Sequence, residues 1–575
     1  MLYPSEASCT SQIRTAKAVA SEFDEEKVAS SGVGAWAKIT ESNSERDTHH
    51  VIKEQGTSLN VPISEVDVQG QAVSWISPRS WMTFIVEHGL VYMLSGLRFE
   101  ERGQIFEVWR HFWARYQSLH PHYSMFSDDD ADYSHTIALY VHGDEGRTLK
   151  SQALMVTTLQ SVLGMGFQEK RLKRPREGHR LHVNFAGHTF TTRFVVSAVH
   201  KDNYSSNPSF FQELMQKMAE ELQELLNEGI RDPHTGDTWR FCVIGVKGDM
   251  PYLQKIGCLN RSWNTTVKRG EARKEPKGVC HLCLAGTIGY DCEEVSSQPR
   301  WEDTVGIREP WEARPAILRH LHFDLDNAGG FFRADVWHCI HLGTGKNFIA
   351  STLQLALKAV PATNNDDRLA WLTSHYRNWC KTVCVSPFIT KISKYLISLN
   401  DASGAVGGWS KGSLTTQLMK WLVPLLEELP ADEQGYLPRC REAARHLNAA
   451  LSFLYEAPLF LEADECKFVS MHGMAFLQEY AALAADMYRM RMPHLFPLFP
   501  KIHAVHHVWW QISTDHACHN FSMNPLSASC QMDEDAIGRV SRTSRRVSAR
   551  TTTLRTLQRY LITCKEVWEK AGLVL

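Results

Sequence analysis

The stretch Phe241-Cys-Val-Ile-Gly-Val246, running through Lys247 into Gly248-Asp249-Met250-Pro251, decides how this chain is read. A short apolar run bounded by turn residues is a buried strand. This one ends on a carboxylate, and about thirty residues further on comes Cys280-His-Leu-Cys283. A strand-end acid followed by a thiol pair points to a metal-dependent site with a stapled loop beside it. The rest of the chain must supply its partners.

Upstream, three more strands are legible. His135-Thr-Ile-Ala-Leu-Tyr-Val-His142 ends on Gly143-Asp144-Glu145-Gly146, Gln152 to Leu159 is the second, and Thr191 to Val199 is the third. From Pro208 to Leu226, Phe211, Leu214, Met218, Leu222 and Leu225 recur at helical spacing and define an amphipathic helix. The order is therefore strand, strand, strand, helix, strand. A meander followed by a right-handed helical crossover to a strand beside the first brings Asp144 and Asp249 to one end of the sheet. That arrangement predicts an α/β (α+β) protein with a ribonuclease H-like mixed sheet and a large all-α insertion before the last catalytic helix.

Residues 1–60, rich in Ser, Thr, Glu and Lys, are expected to be a disordered tail. A mainly helical subdomain is placed at 61–133, with a short strand after Val61 and a helix starting at Ser77-Pro78 and continuing through Phe106, Trp109, Phe112 and Tyr116. The ribonuclease H-like core with its thiol loop spans 134–345, the all-α insertion 346–523, and a C-terminal helix at 524–575 completes the core. Leu418, Trp421, Leu422, Leu425 and Leu426 illustrate the helical periodicity of the insertion.

At 575 residues and 43% hydrophobic content the chain is long enough for several domains. Lys+Arg at 62 against Asp+Glu at 64 leaves a net charge of -2, so any nucleic-acid footprint must be local. The 14 cysteines form no dense framework of the kind that small secreted domains use, so free or metal-bound thiols in a reducing compartment are expected. Neither a secretory signal nor a membrane-spanning apolar run is visible. The reading is an intracellular protein with no membrane partner.

Asp144, Asp249 and Glu534 are the candidate acidic triad, with Glu145, Asp533 and Asp535 as neighbours able to replace them. Phosphodiester cleavage by two Mg2+ ions, or Mn2+, needs carboxylates from separate segments to hold the metals about 3.5–4 Å apart. Hard oxygen donors suit such ions better than imidazoles do. Cys280 and Cys283 have the spacing of one knuckle of a structural Zn2+ site. Asp335 and His338 are the proposed third and fourth ligands, with Cys258, Cys292, Cys339 or His341 as substitutes. His503, His506, His507, His516 and His519 match no ligand spacing with nearby acids and are read as packing or surface residues. A basic loop carrying Lys170, Arg171, Lys173, Arg174, Arg176 and Arg180, and a final helix carrying Arg539, Arg542, Arg545, Arg546 and Arg550, are candidate phosphate grips.

Taken in order, Gly143-Asp144, Asp249-Met-Pro251, Cys280-His-Leu-Cys283, Asp335-Val-Trp-His338 and Glu534-Asp-Ala-Ile-Gly538-Arg539 resemble the motifs of CACTA (En/Spm)-type transposases. These are cut-and-paste enzymes of the DDE class with a ribonuclease H-like core. The likeness runs from about Thr136 to Arg550. It implies Mg2+-dependent DNA hydrolysis and strand transfer by Asp144, Asp249 and Glu534, DNA as partner, a nuclear location and homo-oligomers. Two departures are visible: Asp144 stands in Gly-Asp-Glu-Gly where the family has Asp-Gly, and no N-terminal zinc finger is found. They keep a second expectation alive, a catalytically inactive, transposon-derived DNA- or protein-binding module; a nuclease without strand transfer is a third.

Overall fold

The structure, a computed structural model, describes residues 7–127, 132–148, 152–164, 181–185, 187–263, 265, 276–399, 401 and 404–573. The chain opens with four helices, α1 (Cys9–Ala20), α2 (Glu25–Ala29), α3 (Gly32–Ala37) and α4 (Ser44–Glu54). This corrects the expected tail over 1–60. Few large apolar residues are present, but Ile13, Ile39 and Val51 collect into one small buried cluster. Arg559 from the far end of the chain adds a hydrogen bond to the Ala7 carbonyl at 2.9 Å.

A hairpin, β1 (Ser64–Val68) and β2 (Gln71–Trp75), leads to α5 (Pro78–Glu87). Ser77 caps that helix, its Oγ accepting the Ser80 amide at 3.1 Å, and proline fills the first turn, where its missing N–H costs nothing. Next comes α6 (Ile105–Leu119), which buries Trp109, Phe112, Trp113 and Tyr116.

The sheet follows: β3 (Thr136–Arg147), β4 (Ala153–Ser161), β5 (Phe194–His200), β6 (Ile230–Arg231), β7 (Thr238–Gly248) and the short β8 (Phe332–Arg333). Its order is β5-β4-β3-β7-β6, with β8 also beside β7. β3, β4 and β5 form an antiparallel meander, and β7 lies parallel to β3. The connection between β5 and β7 carries α7 (Pro208–Asn227), which buries Phe210, Phe211, Leu214, Met215, Met218 and Leu222 on one face of the sheet. Each such side chain contributes about 1.5–3 kcal/mol by leaving water. β7 then stops at Asp249, the N-cap of α8 (Met250–Ile256).

Beyond a long irregular segment, six helices follow: α9 (Gly345–Ala359), α10 (Asn365–Thr382), α11 (Gly412–Glu428), α12 (Tyr436–Glu456), α13 (Ala463–Arg489) and α14 (Lys501–His519). The expected all-α insertion also contains a short antiparallel pair, Phe460–Glu462 with Phe521–Met523, so it is mainly rather than wholly helical. The expected single last helix is in fact two, α15 (Gln531–Ser544) and α16 (Thr552–Lys570), and Arg545 and Arg546 fall at the break. α15 packs on β3 and β4, and α16 on β5. α15 is tied to β3 through Ser541, whose Oγ accepts the Arg147 amide at 2.9 Å and donates to the Arg147 carbonyl at 2.6 Å. A Cβ at Gly146 would come within 2.9 Å of Ser541, so the strand and helix approach closely only because that residue has no side chain. No described helix is long and apolar enough to cross a membrane.

Candidate active site and metal centre

Asp144 and Asp249 are brought side by side by strand register. Gly143 and Gly248 are partners in the parallel pair β3/β7, so the next residue on each strand is an aspartate. Asp144 is not at the strand end as expected: β3 continues to Arg147, still paired with β4, and Asp144 stands where pairing with β7 ceases. Both preceding glycines face the Tyr252 ring, which a Cβ at either would meet at 2.3–2.5 Å. Asp249 Oδ1 accepts the Tyr252 amide at 2.7 Å.

Glu534 arrives from α15 and joins them. Its neighbour Asp533 does the positioning. Asp533 is fully buried, with Lys247 Nζ of β7 2.8 Å from one oxygen and Arg193 Nε 3.3 Å from the other. Against the cost of burial, Lys247 and Arg193 hold its carboxyl far below the usual range. Lys247 also donates to the Ser529 carbonyl at 3.0 Å, fixing the approach to α15.

Asp335 and His338, expected as zinc ligands, sit here instead. Asp335 accepts the amides of Trp337 at 2.8 Å, His338 at 3.1 Å and Cys530 at 3.0 Å, so it caps the turn that starts the helical insertion and docks the last segment against it. Its Oδ2 lies 2.5 Å from His338 Nδ1, and His338 Nε2 is 3.4 Å from Glu534 Oε1. A side chain fully engaged in this way cannot also serve the thiols.

The electrostatics follow from four groups in one partly buried place. Burial and the Asp249 charge push Asp144 up to about 6. Burial, then Asp144, push Glu534 up to about 8, and burial raises Asp249. His338 is pulled down by burial, but Asp335, Glu534 and Asp249 outweigh this and carry it up to about 9, which keeps it cationic at neutral pH. Carboxylates raised chiefly by burial, and in Asp144 and Glu534 also by a neighbouring carboxylate, are relieved by a divalent cation placed between them. Glu534 Oε1 is buried without a hydrogen-bond partner, and the donors are hard oxygens, so the set fits Mg2+. The alternatives are engaged elsewhere: Glu145 with Lys255 at 2.6 Å and Tyr204 at 3.0 Å, Asp535 with Arg539 at 2.7 Å and Thr189 at 2.9 Å.

The thiols find other partners. Cys280, Cys283, His503 and His507 are all buried, and their donor atoms lie within 4.8 Å of one another. His503 Nε2 is 3.2 Å and His507 Nε2 3.3 Å from Cys283 Sγ. The amides of Leu282 and Ala285 donate to the Cys280 and Cys283 sulfurs at 3.3 and 3.4 Å. This is a buried Cys2His2 group that could hold a metal ion such as zinc. Trp301 packs on His503, His506 and His507 with ring centroids 4.8, 5.0 and 4.3 Å away, and the site is the centre of a small core of its own. His503 and His507 were expected to be packing or surface residues. The signal in the sequence was their i, i+4 spacing, which puts both rings on one face of α14. His506 points elsewhere, to the Ser296 carbonyl at 2.9 Å. Of the substitute ligands, Cys258 is exposed and Cys292 only borders the small core.

Arg542, Arg545 and Arg546 are exposed on and after α15. Lys170, Arg171, Lys173, Arg174, Arg176 and Arg180 lie outside the described residues. Neither a protein-family model nor a curated protein matches the chain.

Proposed function

We propose that the protein is a transposase-like DNA phosphodiester hydrolase and strand-transfer enzyme on a ribonuclease H-like core. The observation that carries this reading is the meeting of Asp144, Asp249 and Glu534, from two adjacent parallel strands and a helix near the end of the chain, in one place where all three carboxyls are raised. The meander, crossover and parallel fourth strand support the fold assignment. Asp144, Asp249 and Glu534 would hold Mg2+, which when bound activates an attacking oxygen and stabilises a leaving one.

The chain's own residues do the rest. Asp335 fixes the ring of His338 through Nδ1, leaving Nε2 directed at Glu534 as a proton-carrying group beside the carboxylates. Asp533, clamped by Lys247 and Arg193, keeps Glu534 in register with the strands. Arg542, Arg545 and Arg546 offer charge for the phosphate backbone of DNA. The test is Mg2+-dependent nicking and joining of plasmid DNA. Asp249→Asn should abolish both, with circular dichroism unchanged. Full activity in Asp249→Asn would overturn the reading; nicking without joining would reduce it to a nuclease.

A further inference from the structure

A further cluster of metal-type donors lies where the N-terminal helices meet α16. α1 starts at Cys9, with Ser8 as its cap, and the Cys9 side chain is 2% exposed. α4 carries Glu45 and His49 one turn apart, so both side chains face the same way. Cys9 Sγ, a Glu45 carboxylate oxygen and a His49 ring nitrogen lie within 4.8 Å of one another. His49 Nε2 and Glu45 Oε2 are 3.8 Å apart, and both are buried without a hydrogen-bond partner. Buried polar atoms left in this state are costly unless something fills the space between them. Arg559 of α16 completes the group, its Nη2 3.2 Å from Cys9 Sγ and 3.5 Å from Glu45 Oε1.

The cluster is also accessible. Cys9, His49 and Arg559 line a cavity of ≈ 800 Å³ whose walls are mostly apolar, with Val19, Val33, Trp36 and Ile52 among them, and whose rim carries Lys565, Glu566 and Glu569.

We propose that Cys9, Glu45 and His49 form a second zinc site, with its fourth position open to this cavity. Thiolate, imidazole and carboxylate are a donor set that Zn2+ accepts, and three protein ligands with one open place is the pattern of zinc sites that exchange a water or a ligand. At metal–ligand lengths of about 2.0–2.3 Å, tetrahedral ligands stand roughly 3.3–3.7 Å apart. The Glu45–His49 separation of 3.8 Å is already close to that, and side-chain rotation of Cys9 supplies the remainder. Binding replaces the Cys9 thiol proton, which goes to solvent, by a sulfur–zinc bond. The thiolate and carboxylate then balance the ion's charge. Arg559 is left as an outer donor to sulfur and carboxylate and as a positive charge at the cavity, so the open place favours water or an anion.

The experiment is zinc content per chain, by elemental analysis of the full-length protein after loading with Zn2+ and passage over a chelating resin. Cys9→Ser and His49→Ala should each lower the content by one zinc per chain, whereas Cys384→Ser, an exposed thiol elsewhere, should not. In a Cys283→Ser background, added Co2+ should give a thiolate-to-metal charge-transfer band that disappears with Cys9→Ser. If the Cys9 variant does not fold, Glu45→Gln, which keeps the shape, should weaken the site at least tenfold. Zinc content unchanged in the Cys9, His49 and Glu45 variants, or no Cys9-dependent cobalt band, overturns the proposal.

Discussion

Asp533→Asn is the most demanding probe of how the last helix is attached. Asp533 is completely buried between Lys247 at 2.8 Å and Arg193 at 3.3 Å, themselves only 1% exposed. The substitution keeps the volume but leaves two cations in the interior without their anion. Arg193 retains hydrogen bonds to Asn184 Oδ1 and the Asn184 carbonyl, at 3.0 and 3.1 Å, so its loss is partial. Among the described residues, Lys247 keeps only the Ser529 carbonyl as a hydrogen-bond partner, at 3.0 Å. Breaking a buried pair by removing one partner costs about 3–5 kcal/mol. With a urea slope of about 3 kcal/mol/M or more for a chain of this length, the midpoint should fall by roughly 1 M. Adding Lys247→Met removes the stranded ammonium and should return about 0.5–3 kcal/mol as coupling. The pH dependence has a fixed sign. Because the folded carboxyl is held below its unfolded value of about 3.9, its contribution is complete above pH 4 or so and fades only in stronger acid. Equilibrium urea unfolding followed by tryptophan fluorescence at several pH values measures all three effects. A midpoint for Asp533→Asn within 0.2 M or so of the parent would refute the reasoning, as would a double variant no better than the single one.

Two further outcomes test the sites directly. Asp144 near 6 and Glu534 near 8 are raised, so without metal the folded protein binds more protons than the unfolded chain and loses stability as pH rises from about 4 towards 8; Mg2+ should reverse that loss, and melting curves with and without the ion that run parallel across this range would exclude metal binding there. Removing metal from Cys280, Cys283, His503 and His507 with a chelator, or replacing His507 by Ala, should release the loop around the cysteines to proteases, and an unchanged cleavage pattern would show that no metal braces it.

The sheet was legible because its strands are long, apolar and bounded by Gly, Pro and acidic turns. The apolar run at Phe241 and the helix from Pro208 both fall where the pattern puts them, and Asp249 ends its strand as read. Asp144 was misplaced by a few residues because Gly143 and Gly146 look like a turn, whereas they admit Tyr252 and Ser541 to an unbroken strand. The N-terminal helices were missed because they bury little by themselves and lean on α16, a partner that local composition does not reveal. The metal ligands failed for a related reason. Asp335 and His338 have plausible spacing and are nearer in sequence, while His503 is 220 residues from Cys283, and only the path of the chain brings those two together.

That path has a consequence for what surrounds it. Lys501 Nζ donates to the His338 carbonyl at 3.0 Å, so the insertion sets out and comes home at one spot on the core. Seen from the sheet, everything between those residues is a loop whose mouth is already sewn shut. The entropy of such a loop grows only with the logarithm of its length, about 0.6 kcal/mol for each doubling. Helices added at its outer turns would leave that mouth in place, whereas the stretch from Leu454 to Glu462, which pairs with Phe521–Met523 and holds Asn524 just ahead of α15, is part of the frame that presents Glu534.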